Sequence, residues 1–299
     1  MIIIDDSYLE LPKYRRGRKS KKTFVKNDKE YIFKYDLTNF EVYAELIAEQ
    51  IGKQMDIDMA HYLLAEYNGT IGVLTPNFLK AEDKIMSIDY FKDFVEKMSL
   101  ENNVVLNIKE HSVFNIINAA SVFDASIDAS NLFLSLAKRW VFYGLIMESD
   151  KNPTNIAFIK RGAKIILSPD YDNSSMARLN ENIDLFLDSL KSGATDIYHY
   201  TDHIKQALTM FNNGSENFLE EFKIFCEKYS YEACEIMKSL LKVDIEDAIS
   251  EVEHLNKCSI PWSVRYWIKK VIVARFNDIK NIYVHTVKKI DEKELGYKQ

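Results

Sequence analysis

The sequence predicts an α+β chain in two lobes: a small N-terminal sheet carrying one helix over residues 1–80, and a larger, mainly helical C-terminal lobe over 81–299. Three observations predict it. Short apolar-rich segments punctuated by turn residues crowd the first lobe, and stretches with apolar spacings of three and four dominate the second. The 299 residues also exceed a usual single domain of about 100–150.

Segments 22–25 and 31–35 flank the polar turn Lys26-Asn27-Asp28-Lys29-Glu30 and read as a hairpin. Asn39 then caps a helix running to about residue 50, with Val42, Leu46 and Ile47 on one side and Glu41 and Glu45 one turn apart. Segments 61–66 and 71–74 enclose Tyr67-Asn68-Gly69-Thr70, and an Asn-Gly pair favours a hairpin because both residues tolerate positive φ. Segment 75–80 marks the lobe boundary. Beyond it, 85–98, 112–122, 129–148, 177–191, 200–211, 217–242, 245–257 and 262–277 carry helical spacing, and 282–285 opens a terminal helix and charged tail.

One interruption stands out among those helices. The apolar run 140–147 ends at Glu148-Ser149-Asp150-Lys151-Asn152-Pro153-Thr154-Asn155. Segments 156–159 and 164–167 form a second hairpin around Arg161-Gly162, which ends at Ser168-Pro169-Asp170-Tyr171-Asp172-Asn173-Ser174-Ser175. Two loops rich in carboxylates and carboxamides therefore bracket one small hairpin.

Composition narrows the function classes. Hydrophobic residues make up 47%, charged residues 28%, with 9 Gly and 5 Pro, which excludes a disordered, collagen-like or mucin-like chain. A net charge of -6 argues against a surface built throughout to coat nucleic acid. Locally, however, residues 13–26 carry eight Lys or Arg and no acid. The three cysteines, Cys226, Cys234 and Cys258, match neither a disulfide framework nor a zinc motif, and the six histidines form no metal-spaced set. With no apolar run of signal-peptide or membrane-helix length, the reading is a cytoplasmic protein without disulfides or a membrane span. Trp140, Trp262 and Trp267 read as core or lobe-packing residues.

The ordered polar residues fit phosphoryl transfer. That chemistry needs a cation on nucleotide phosphates, a carboxylate orienting the cation, a carboxylate near the acceptor hydroxyl, and oxygen ligands for Mg²⁺. Lys34 in an early strand, Glu41 in the next helix, Asp150 and Asn155 in one loop and Asp172 after the hairpin supply this list in order. Taken singly, Lys34 reads equally as an ordinary edge-strand lysine, and Asp150 with Asn155 as turn-forming residues.

The Asp150-to-Asn155 spacing with Pro153 between, the segment 31–41, and Leu167-Ser168-Pro169-Asp170-Tyr171-Asp172-Asn173-Ser174-Ser175 together closely resemble the HipA-like family of bacterial serine/threonine kinases, over residues 14–180. The resemblance implies a bilobal protein-kinase-like fold using ATP and Mg²⁺. It implies that Lys34 grips the α and β phosphates, with Glu41 as its helix partner in preference to Glu45. Asp150 becomes the catalytic aspartate, and Asn155 and Asp172 hold Mg²⁺. Residues 14–22 match the family's phosphate loop, so Gly17, Arg18, Lys19, Ser20 and Lys21 join the nucleotide-binding set, and Ser20 is the candidate for inhibitory autophosphorylation. The basic arm reads as closing over ATP phosphates, with an acidic or tRNA-bearing substrate complex and simple solvation as alternatives.

Two departures qualify the transfer of function. The family's loop commonly reads Asn-Thr-Asp-Arg-His, whereas this chain has Glu148-Ser149-Asp150-Lys151-Asn152, which removes an imidazole and adds a negative charge near the metal. Only about a dozen residues precede the phosphate loop, where some relatives carry a further domain. The resemblance implies phosphorylation of a protein serine or threonine as a toxin-like regulator, with an antitoxin or a separate N-terminal module as partner. An ATP-binding pseudokinase and a small-molecule kinase are the alternatives.

Overall fold

A computed structural model describes residues 1–12, 21–35, 39–87, 117, 128–151, 155–162, 164–201, 210 and 217–296. Six short strands form the N-terminal sheet: β1 (Ile2–Ile3), β2 (Leu9–Leu11), β3 (Lys21–Lys26), β4 (Lys29–Lys34), β5 (Leu63–Tyr67) and β6 (Thr70–Pro76), in the order β1-β5-β6-β4-β3-β2. Both expected hairpins are present. Asn27 and Asp28 turn β3 into β4 with φ of 51° and 59°, and Asn68 and Gly69 turn β5 into β6 at 51° and 76°. The aromatic side chains of Phe24, Phe33 and Tyr67 interlock on one face of this sheet, with Phe24 and Tyr67 ring centroids 5.0 Å apart.

The helix α1 (Asn39–Gln54) follows β4, and Val42, Leu46, Ile47 and Ile51 sink into the main core. Gly72 in β6 lets the chain approach β4 closely, since a Cβ there would lie 2.3 Å from the Lys34 carbonyl oxygen and 2.8 Å from the Phe33 ring. The Lys34 backbone is thereby pressed against β6.

The second lobe begins differently from the expected helix at 85–98. Residues Lys84–Ser87 form β7, which pairs with β8 (Ala157–Arg161) and through it with β9 (Lys164–Leu167), and 88–98 lie outside the described residues. Pairing with the largely buried β8 makes this segment a strand. The helix α2 (Ala129–Ile146) is capped by the Asp128 carboxylate, which accepts from the amides of Ser130 and Asn131 at 3.1 Å. Its last seven residues are all buried, so this helix is a core column rather than an amphipathic face.

The remaining helices are α3 (Ile183–Lys191), α4 (Ile197–Thr201), α5 (Phe218–Lys228), α6 (Ser230–Leu240), α7 (Ile245–Asn256) and α8 (Trp262–Gly296). The expected single helix over 217–242 is broken at Tyr229, whose φ of -131° and ψ of 54° leave the helical region. The stretch expected to end at 277 instead continues through 296 as one helix. Trp140 and Trp267 are fully buried, and Trp140 packs against Phe218 with centroids 4.8 Å apart. Trp262 departs from the packing role expected of it. It is 63% exposed and stacks on Tyr266 one turn away.

The architecture is therefore bilobal, a sheet with one helix above a larger helical lobe. Cys226, Cys234 and Cys258 are free thiols, and burial pushes the Cys226 thiol up to about 12. Among the described residues no helix is long and apolar enough to cross a membrane.

Candidate active site

The site is assembled where three segments meet: the end of β4, the loop following α2, and the loop following β9. Lys34 is the last residue of β4 and is 5% exposed. Its ammonium donates to Glu45 Oε1 at 2.5 Å and to the carboxylate of Asp172. Burial works to lower the Lys34 pKa, but the charges of Glu45 and Asp172 outweigh it and hold the ammonium well above the ordinary lysine value.

The α1 carboxylate that meets Lys34 is Glu45, which corrects the expectation of Glu41. Glu41 sits in the first turn of α1, where the helix N-terminus favours a carboxylate, and is itself buried. Glu45 lies one turn deeper, fully buried, and its second oxygen accepts the Asn173 amide at 2.9 Å. Glu45 thus touches β4 and the Asp172 loop together, which fixes it as the bridging residue.

Asp172 adopts a φ of 65°, a left-handed conformation that asparagine and aspartate tolerate better than most residues. Its backbone N–H donates to the Tyr62 hydroxyl at 3.1 Å, and its side chain keeps 28% exposure. Burial works to raise its pKa, but Lys34, Lys21 and Lys151 together hold the carboxyl below the ordinary aspartate range. Lys21, expected in the nucleotide-binding set, opens β3 directly opposite Lys34. Gly17, Arg18, Lys19 and Ser20 lie outside the described residues.

The loop after α2 begins at Met147, whose left-handed φ of 54° ends the helix and redirects the chain. Asp150 is exposed, and its carbonyl accepts from Asn155 Nδ2 at 3.1 Å. That bond commits the carboxamide nitrogen of Asn155 and leaves its oxygen as the atom suited to a cation. Asn152, Pro153 and Thr154 lie outside the described residues.

Beneath these residues lies a buried polar network that the sequence did not reveal. Lys151, 1% exposed, donates to the Tyr171 carbonyl at 2.5 Å and the Asp172 carbonyl at 3.3 Å, and pairs with Asp170 Oδ1 at 3.3 Å. Its ammonium also stands 4.9 Å over the Tyr143 ring. Asp170 accepts from Tyr143 and from Asn173 Nδ2, with Arg139 at 4.0 Å. Its backbone bonds the α1–β5 connection on both sides, donating to the Asp58 carbonyl at 2.7 Å and accepting from the Ala60 amide at 2.8 Å. The loop carrying Asp172 is thus tied to the N-terminal lobe by backbone and to α2 by side chains. The repeated acids of Asp170-Tyr171-Asp172 were the available signal for Asp170, but sequence alone could not mark it or Lys151 as buried.

Glu148 is placed differently from a charge lining a metal. It is 1% exposed, and its two oxygens accept the Asp150 amide at 2.9 Å and the Ser175 amide at 3.2 Å. Burial, with added repulsion from Glu45 and Asp172, pushes its carboxyl up to about 8 against the opposing pull of Lys151 and the Asp150 amide.

Among the described residues no group of three or more His, Cys, Asp or Glu side chains could hold a metal ion. Asp172 and Asn155 supply hard oxygen donors that fit Mg²⁺, an ion that keeps several waters and completes its shell with phosphate oxygens.

No protein-family model matches the sequence. No curated protein matches it either. The fold does have solved counterparts. The chain is similar to the crystal structure of the Helicobacter pylori proinflammatory kinase CtkA, with a TM-score of 0.68 at 14% identity, covering 90% of this chain and 94% of that one. It is also similar to a chain of the Shewanella oneidensis MR-1 toxin–antitoxin complex of HipA, HipB and operator DNA, with a TM-score of 0.55 at 12% identity, covering 94% of this chain and 66% of that one. At these identities the likeness establishes the fold: the chain has a bilobal kinase-like architecture.

Proposed function

We propose that the chain transfers the γ-phosphoryl group of Mg-ATP to a serine or threonine hydroxyl of a protein. The observation that carries this reading is the junction of Lys34, Glu45 and Asp172, in which a strand lysine of one lobe is held between a helix carboxylate and the carboxylate of a C-lobe loop. The fold shared with a bacterial kinase supports it.

In this reading Glu45 holds Lys34 against the nucleotide phosphates, and the ammonium offsets their charge in a site largely closed to water. Asp172 and the carboxamide oxygen of Asn155 hold Mg²⁺, which when bound neutralises developing charge on the transferred group. Lys34 exchanges its contact with Asp172 for the phosphates as nucleotide enters. Asp150, exposed at the loop surface, accepts or orients the proton of the acceptor hydroxyl. Residues 14–22, of which only 21 and 22 are among the described residues, are assigned to the nucleotide phosphates, and residues 1–80 and 81–299 act as the two lobes. The likeness to a chain of a toxin–antitoxin complex favours a growth-regulating role with a protein partner.

One observation favours a second reading, nucleotide binding without turnover: Lys34 is bonded directly to Asp172, the carboxylate assigned to Mg²⁺. A single experiment separates the two. Wild type and Asp150→Ala are incubated with γ-labelled ATP and Mg²⁺, and phosphate is located by intact mass and peptide mapping. Label on serine or threonine in wild type and not in the folded variant supports transfer. ATP binding without label supports the second reading, and absence of both refutes the assignment of Lys34, Asp150 and Asp172.

A further inference from the structure

Glu148 joins two segments that the proposed chemistry needs in register. Its position immediately after the left-handed Met147 puts it at the root of the Asp150 loop, and its own N–H is fixed to the Tyr143 carbonyl at 2.9 Å. From there one carboxylate oxygen takes the N–H of Asp150 and the other takes the N–H of Ser175, three residues beyond Asp172. Both oxygens are therefore occupied by backbone donors from different segments, inside a site with 1% exposure.

An ionised carboxylate suits this arrangement because it is acceptor-only at both oxygens. A protonated one does not. Protonation turns one oxygen into a donor and a much poorer acceptor, so the tie made by that oxygen is weakened. We propose that Glu148 is a positioning residue whose ionised carboxylate ties the Asp150 loop to the Asp172 loop, so that turnover depends on its charge state. The inference rests on the phosphoryl-transfer reading for its catalytic consequence and on geometry alone for the tie.

The groups facing Glu148 set the range in which the switch operates. Lys151 on its own loop favours the charged form, as does the Asp150 amide. Glu45 from α1 and Asp172 from the loop after β9 oppose it, and the Tyr143 phenol lies on the α2 side. With burial dominant, the carboxyl titrates near neutrality rather than in the usual acid range, at about 8. A cation held at Asp172 removes one of the opposing charges, so nucleotide loading moves the titration to lower pH.

The test uses the full chain without nucleotide, labelled with ¹⁵N, together with Glu148→Gln. The amide resonances of Asp150 and Ser175 are followed from pH 6 to 9.5. The expected result is a shared titration of both amides in wild type and its absence in Glu148→Gln. Amides that stay fixed across this range, or titrate identically in the variant, overturn the proposal. Turnover is then followed over the same range with Mg-ATP. The expected wild-type rate rises with pH to a plateau, with a midpoint at or below that of the amides, while Glu148→Gln shows a flat rate at least tenfold below the plateau. Titrating amides with a wild-type rate indifferent to pH overturn the catalytic part. If wild type transfers no phosphate at any pH, the kinase reading fails, and the amide titration still decides the tie.

Discussion

Replacing Glu45 by glutamine tests which α1 carboxylate serves Lys34. The two groups lie 2.5 Å apart with side-chain exposures of 6% and 0%. At an effective dielectric of about 20, unit charges at that separation attract by about 6–7 kcal/mol, and the desolvation of both groups offsets much of this. The surviving coupling should be about 2–3 kcal/mol, the range for a hydrogen bond between charged groups. Glutamine retains an oxygen for the Asn173 amide, so the loss is concentrated on Lys34. The assay is a double-mutant cycle in urea unfolding over wild type, Lys34→Met, Glu45→Gln and the double variant, run beside the same cycle with Glu41→Gln. Lys34 is expected to couple to Glu45 by about 2–3 kcal/mol and to Glu41 by under about 0.5 kcal/mol. In parallel, Glu45→Gln should lower the phosphoryl-transfer rate about 100-fold, as loss of a preorganised electrostatic contact does. Coupling to Glu45 below about 0.5 kcal/mol, or equal coupling to both glutamates, would refute the reasoning.

Lys151→Met removes a buried ammonium that serves two carbonyls and Asp170, and should cost about 3 kcal/mol in urea unfolding. A change under about 1 kcal/mol would show that Asp170 is satisfied without it. Gly72→Ala pushes a Cβ against the Lys34 carbonyl and the Phe33 ring, so it should lose about 1–3 kcal/mol and weaken ATP binding by calorimetry. Unaltered ATP affinity would count against the close approach as a determinant of Lys34's position. The acid limb of stability follows from Asp172, whose folded value is held below the ordinary 3.8. Its contribution is full above that unfolded value and is lost as pH falls through the lower folded one, so Asp172→Asn should flatten the urea-midpoint curve below about pH 4. Glu148 has the opposite sign. Raised from 4.5 to about 8, it stabilises fully below 4.5 and loses that contribution as pH rises through 8, so Glu148→Gln should reduce the alkaline decline in melting temperature.

Much of this fold is local and was legible for that reason. The Asn27-Asp28 and Asn68-Gly69 turns specify hairpins through residues that accept positive φ, and these hairpins are where they were expected. The Asp128 carboxylate marks the start of α2, and the apolar run at its end identifies a buried segment. The break at Tyr229 and the strand at Lys84–Ser87 were not legible, because helical spacing continues across the first and the second owes its form to pairing with β8, 70 to 76 positions later.

For the candidate site, the amino-acid sequence by itself determined the inventory and its order: Lys34 at a strand end, the Asp150–Asn155 spacing in one loop, and Asp172 beyond the following hairpin. Tertiary structure decided the partnerships. Glu41 and Glu45 are both plausible on a helix, and only the approach of the Asn173 amide and Lys34 to one point selects Glu45. Lys34 and Asp172 are 138 positions apart, and Glu148 reaches Ser175 across 27. Whether a charged side chain faces solvent or a buried carbonyl depends on the segments that close over it, and the free energy of a charge depends on that burial. That is why Lys151 and Glu148 look in sequence like loop polar residues and stand in the structure as the internal braces of the site.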